Sequence, residues 1–121
     1  MISQDKAREI AREWIDAWNS HDLDSIMSHY SDDVELTSPN VVKLLGDEKG
    51  TVRGSDALRA YFEKGLAAFP DLRFELKEVF TGVNSIVLYY TRPNGHPGAE
   101  LMILNSEDKV EKVIANYDYS E

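Results

Sequence analysis

Residues 4–30 read QDKAREIAREWIDAWNSHDLDSIMSHY, and the spacing of their apolar side chains decides the fold class. Ala7, Ile10, Ala11, Trp14, Ile15 and Trp18 recur at helical intervals, which puts them on one face of an amphipathic helix. Ser3 stands just ahead of this stripe and is the type of residue that accepts a hydrogen bond from an orphan N–H of the first turn. The helix is therefore expected to begin at Gln4 and to run to about Asn19. Asn19-Ser20-His21-Asp22 breaks the pattern. Asp22 offers a second N-cap, and Leu23, Ile26, Met27 and Tyr30 repeat the helical spacing in a short second helix.

Downstream the period changes to that of a strand. Val34, Leu36 and Ser38 share one face and Glu35 and Thr37 the other, until Pro39 ends the run. Asn40 to Gly50 reads as a loop with an apolar tip of Val41, Val42, Leu44 and Leu45, and Val41 to Gly50 is expected to act as a mobile lid or rim. Thr51-Val52-Arg53 is a short strand. Ser55 is expected to cap a third helix that carries Leu58, Tyr61, Phe62, Leu66 and Phe69 on one side and stops at Pro70. From Leu72 the chain turns to strands. Leu72, Phe74 and Leu76 alternate with polar residues, Gly82-Val83-Asn84 turns, Ile86 to Arg92 follows, and Ala99 to Leu104 and Val110 to Tyr117 complete a meander. Helices first and strands last define an α+β fold, with three helices on one face of a curved mixed or antiparallel sheet.

The chain has 121 residues and 13.7 kDa, a length for a single domain spanning 1–121, and its 42% hydrophobic content is that of a globular protein. With 22 acidic and 13 basic side chains the net charge is -9, the wrong sign for nucleic acid or an anionic membrane as partner. The absence of Cys removes thiol catalysis, disulfides and thiolate metal ligands, and leans towards a cytoplasmic protein. MISQDKAREI lacks the basic and apolar runs of a signal peptide, and no apolar stretch approaches membrane-spanning length.

A sheet curled around the first helix leaves one closed side, and the side chains available to fill it are large and partly polar. Trp14, Trp18, Tyr30, Tyr61 and Phe62 come from the helical half. Phe69 closes the third helix, and Phe74, Tyr90 and Tyr117 come from the strand half. Rings with polar tips suit a ligand cavity, since they combine contact area with hydrogen-bond donors, although a plain aromatic core has the same periodicity.

The run Trp14-Ile15-Asp16-Ala17-Trp18-Asn19-Ser20-His21-Asp22-Leu23-Asp24, then Tyr30-Ser31-Asp32-Asp33-Val34 and Ser38-Pro39, resembles the opening of the NTF2-like superfamily, especially its SnoaL-like branch. Gly54 to Phe62 and Lys109 to Asp118 are similar to later blocks of the same family, so the resemblance covers nearly the whole chain in order. It implies a cone-shaped α+β barrel with a pocket, commonly dimeric through the outer face of the sheet. It does not imply one reaction, because such relatives include isomerases, cyclases, epoxide hydrolases, dehydratases and plain binders.

Ketosteroid isomerases place a tyrosine on the first helix, an aspartate base before the proline of the first strand and a protonated aspartate on a later strand. By that resemblance the tyrosine's place falls to Trp14, the base's place to Ser38 and the third to Glu100. Neither an indole nor a serine hydroxyl does the proton chemistry of the residue it replaces. Ala115 and Asn116 likewise stand where SnoaL-like relatives often carry an arginine and an aspartate. Glu100 is left as the catalytic candidate, with Trp14, Trp18, Tyr30, Ser38, Tyr61, Phe74, Tyr90 and Tyr117 as the ligand-binding set. Alternation does not say which way Glu100 points, since both rows of residues 99–104 are apolar enough to be buried.

His21 falls in a helix-breaking turn, His29 one position off an apolar stripe and His96 in a Pro/Gly turn, and none has a metal-ligand spacing. Arg92 is read as solvated unless Glu100 partners it. No metal and no cofactor are expected, and neither a phosphate cradle nor a nucleophile elbow is present. Two functions fit: proton transfer on a small apolar, cyclic or polyketide-like molecule with Glu100 as acid or base, or a non-catalytic ligand-binding or dimerisation module. A homodimer is expected because strands such as Ile86 to Tyr90 are apolar on both faces.

Overall fold

Ser3 accepts from the Lys6 N–H, as its position before the apolar stripe requires, and α1 (Gln4–Ser20) follows with Ala7, Ile10, Ala11, Trp14, Ile15 and Trp18 buried. The computed structural model describes residues 1–119. After α1 come α2 (Leu23–Met27), β1 (Tyr30–Thr37), α3 (Pro39–Leu45), β2 (Thr51–Arg53), α4 (Ser55–Ala68), β3 (Glu75–Thr81), β4 (Ser85–Thr91), β5 (Pro97–Leu104) and β6 (Val110–Tyr117). The strands form one sheet in the order β2-β1-β6-β5-β4-β3, mixed because β1 and β6 are parallel and every other neighbour is antiparallel.

The α+β class holds, with two differences of architecture. β2 and β3 are the sheet edges, so the sheet is open rather than a closed barrel. The described residues also hold four helices, not three. The stretch read as a loop is α3, where Ser38 Oγ accepts from the Asn40 N–H, Pro39 takes the first turn and Gly46 ends the helix at φ 71°. These are ordinary start and stop signals, but seven residues with adjacent β-branched Val41 and Val42 show too little period to reveal a helix. Val41 is fully buried and ties the segment to the core, while Val42 and Leu45 are exposed.

Local misreadings have local causes. Tyr30 is spaced as if on α2, but the helix ends at Met27 and Tyr30 opens β1, paired with Val110. Gly54, not Ser55, holds the N-cap position of α4, without a side-chain cap. Leu72 and Phe74 lie outside β3, whose first residue is Glu75. Phe74 is held instead by Asn19, whose side-chain amide donates to the Phe74 carbonyl at 2.9 Å and accepts from its N–H at 2.7 Å. Asn19, in the last turn of α1, thus bonds an extended segment as a neighbouring strand would.

The core lies between the helices and one face of the sheet. Ile86–Met102–Val113, Leu88–Glu100–Ala115 and Tyr90–Gly98–Tyr117 are cross-strand rows of β4, β5 and β6 on that face. All but Glu100, Gly98 and the tyrosines are aliphatic or small, each large one contributing about 1.5–3 kcal/mol by burial. Register breaks give β1, β3 and β6 extra residues, which bends these strands, and a hollow lies beside Glu100 between the helices and the sheet.

Candidate functional site

The hollow is a cavity of about 80 Å³ lined by α1, α3, α4 and the inner rows of the sheet. Every residue expected at the site borders it: Trp14, Trp18, Tyr30, Ser38, Tyr61, Phe74, Tyr90, Tyr117 and Glu100. Leu36, Leu44, Leu72 and Ala115 add aliphatic wall that the sequence reading did not single out. Phe69 stands half-exposed at the rim. Trp14 sits at the centre of the aromatic packing, stacked on Phe74 with centroids 5.6 Å apart and edge-on to Tyr90 at 5.4 Å. Trp18, one turn further along α1, meets Phe62 edge-on at 4.7 Å.

Glu100 is 5% exposed and belongs to the inward row of β5 with Met102 and Leu104. Its neighbours across the sheet are Leu88 and Ala115, and the methyl side chain of Ala115 leaves the carboxyl room on that side. Tyr90 donates to Glu100 Oε1 at 2.7 Å, a diagonal contact between β4 and β5. Gly98 lies directly between Tyr90 and Tyr117, and a Cβ there would stand 3.1 Å from both rings. The glycine is what lets the two phenols close over the carboxyl.

Burial disfavours the charged form of every titratable group here. It pushes the Glu100 carboxyl up to about 7, against the opposing pull of the Tyr90 hydrogen bond. The Tyr61 phenol is pushed up to about 12, and those of Tyr30, Tyr90 and Tyr117 also rise, first by burial and then by the nearby Glu100 charge. All the phenols are therefore neutral donors at physiological pH. Glu100 alone among them changes protonation near neutrality.

Trp14 Nε1 donates to the Tyr30 hydroxyl oxygen at 2.9 Å, a buried bond between helix and sheet. The Trp18 N–H also points toward that hydroxyl but closes no hydrogen bond with it or with any other described group. An orphaned buried donor costs about 1–3 kcal/mol, and few are found in native proteins. Ser38 has a structural duty as the cap of α3, while its hydroxyl neighbours the phenols of Tyr61 and Tyr117.

The remaining polar candidates lie elsewhere. His21 adopts the left-handed conformation that closes α1, its ring bonding the Leu72 carbonyl at 2.7 Å. His29 borders a separate polar cleft beside Glu13 and Lys109, and burial lowers its pKa. Arg92 does not meet Glu100. Its guanidinium stacks on the Tyr117 ring at 4.4 Å and donates to the Asp118 carbonyl at 3.0 Å. Among the described residues no three His, Asp or Glu side chains gather as a metal site, and no helix is long and apolar enough to cross a membrane.

This arrangement of helices, sheet and cavity has close counterparts. A SnoaL-like protein of unknown function from Burkholderia thailandensis superposes with a TM-score of 0.93 at 39% identity, over 97% of this chain and 98% of that one. A putative isomerase of the SnoaL-like family from Agrobacterium tumefaciens shares the fold at 20% identity and a TM-score of 0.73, over 93% of this chain and 97% of its own. The epoxide hydrolase/cyclase-like enzyme SalBIII, which takes part in pyran ring formation in the polyether salinomycin, shares it at 18% identity and a TM-score of 0.75, over 98% of this chain and 95% of its own. No curated protein sequence matches this chain. Residues 11–103 match the SnoaL-like domain family, and together with the Burkholderia relative this shows that the chain belongs to that family.

Proposed function

We propose that the cavity binds a small, mainly apolar molecule and that Glu100 moves a proton on it. One observation carries this reading: a fully buried carboxyl, held by a single tyrosine, borders an aromatic cavity and titrates near pH 7. A general acid or base works best with its pKa near the working pH. As carboxylate, Glu100 would take a proton from a carbon beside a carbonyl, the C–H electron pair passing to the carbonyl oxygen. As the resulting acid it would return that proton to a different carbon, so the product is an isomer and no atom is gained or lost. The isomerase and cyclase neighbours support this class of chemistry by fold alone.

Trp14 and Ser38 favour a second reading, a non-catalytic binder, because they stand where ketosteroid isomerases carry a tyrosine and a base. Hydrogen exchange from D2O into cyclic ketones separates the two. Catalysed exchange that falls about 100-fold or more in Glu100→Gln supports proton transfer. Ketone binding without exchange leaves the binder.

We also propose that the outer face of the sheet pairs with a second copy of the chain. Phe80, Val87, Leu101 and Ile114 form an apolar row across β3, β4, β5 and β6 on the face that the helices do not cover. A cysteine-free chain of this kind fits a reducing, cytoplasmic setting.

A further inference from the structure

Tyr61, Gly65 and Phe69 follow one another a helical turn apart along α4, and all three border the cavity. A glycine thus takes the middle place in an otherwise aromatic row. Glycine weakens a helix interior more than any residue except proline, so its presence there needs a reason. The backbone supplies none. Gly65 does not adopt the left-handed φ that favours glycine, and it lies four residues before Phe69, whose N–H closes the helix on the Gly65 carbonyl at 3.0 Å. Packing supplies none either, because a Cβ at Gly65 would meet no atom of the described residues within 4 Å beyond its own stretch of helix. The missing side chain leaves open space in the cavity wall.

That gap lies where the cavity opens. Trp14, Tyr90 and Glu100 are buried at the inner end, whereas Leu44, Gly65 and Leu72 are half-buried and Phe69 is half-exposed. The mouth is therefore between α3 and the last turns of α4. The interior, at about 80 Å³, is smaller than the roughly 150 Å³ in which an apolar cavity holds benzene. A ring compound that reaches Glu100 must then continue outward past Gly65. We propose that Gly65 is a specificity-determining residue, whose gap between Tyr61 and Phe69 admits an apolar chain carried by the ligand. This rests on reading the cavity as a ligand site, and it names the ligand class: ring compounds bearing an alkyl chain away from the end that meets Glu100. Leu44, Phe69 and Leu72 supply the apolar surface that takes such a chain out of water.

Phenol and 4-pentylphenol, alike in the ring and differing in the chain, test this with the full-length protein, Gly65→Ala and Gly65→Leu. Both tryptophans of the chain border the cavity, so their fluorescence reads binding there. Each methylene removed from water strengthens binding about fourfold, and the unmodified protein is expected to prefer 4-pentylphenol by about thirtyfold or more. Gly65→Leu fills the gap and is expected to lose about tenfold of that preference, with phenol affinity held within about twofold. Gly65→Ala adds one methyl group and is expected to keep most of it. Both variants are expected to melt at or above the temperature of the unmodified protein, since each favours the helix and neither meets a clash at Cβ. In the unmodified protein the terminal methyl of the chain is expected to show nuclear Overhauser contacts to the Phe69 ring. This measurement needs no variant, so it stands even if Gly65→Leu does not fold. An unchanged preference in Gly65→Leu, an equal loss for both phenols, or a terminal methyl that contacts Trp14 instead of Phe69 overturns the proposal. Failure of both phenols to bind removes the ligand-site reading and this inference with it, whereas phenol binding with no gain from the chain removes this inference alone.

Discussion

Replacing Glu100 with Gln is expected to change how the fold depends on pH, and the structure sets the size of the change. An ordinary glutamate in the unfolded chain titrates near 4.5, whereas burial holds the folded carboxyl at about 7. Between those values the folded state keeps a proton that the unfolded state has released. Stability must therefore fall as pH rises through this window, intact below the lower value and lost above the upper one. At about 1.4 kcal/mol per pH unit the interval is worth about 3 kcal/mol, with no discount for solvent because the carboxyl is fully buried. Glutamine keeps the shape and carries no charge, so Glu100→Gln escapes this loss. Urea unfolding of both proteins between about pH 4 and about pH 8 measures the effect, and other acidic side chains cancel in the difference. The difference is expected to grow in favour of the variant by about 3 kcal/mol, or about 10 °C in melting temperature for a chain of 121 residues. Parallel profiles, or a Glu100 carboxyl resonance titrating with an ordinary midpoint, would refute the argument.

Asn19→Ala removes both hydrogen bonds to the Phe74 backbone and is expected to cost about 2 kcal/mol in chemical unfolding, with reduced hydrogen-exchange protection at Phe74. Gly98→Ala forces a methyl against Tyr90 and Tyr117, with a cost of about 1–3 kcal/mol. Because the Tyr90 hydrogen bond holds the Glu100 pKa down, its loosening in this variant is expected to raise the carboxyl midpoint in an NMR titration. Leu101→Lys puts a charge between Val87 and Ile114 on the outer sheet face and is expected to convert a dimer to monomer in light scattering. A monomeric unmodified protein at micromolar concentration would remove that interface.

The periodicity of residues 4–30 determined α1, its cap and the aromatic face at Trp14 and Trp18, because a helix buries a stripe that local spacing already displays. The change to alternation at Val34 likewise marked β1, and the order of helices before strands determined the fold class. Local spacing misled where the reason for burial was not local. Tyr30 continued a helical count only because the first inward residue of β1 falls there, paired with Val110 from the far end of the chain. Short α3 had its cap and its terminal glycine but too few turns to show a face. Alternation in β5 offered two apolar rows, and only pairing with Leu88 and Ala115 turned Glu100 inward, where the missing side chain of Gly98 lets Tyr90 reach it. The same holds for the unanswered Trp18 N–H. Its residue type and burial could be read from the sequence, but the absence of an acceptor depends on every element packed around it, and only the tertiary structure brings those elements together.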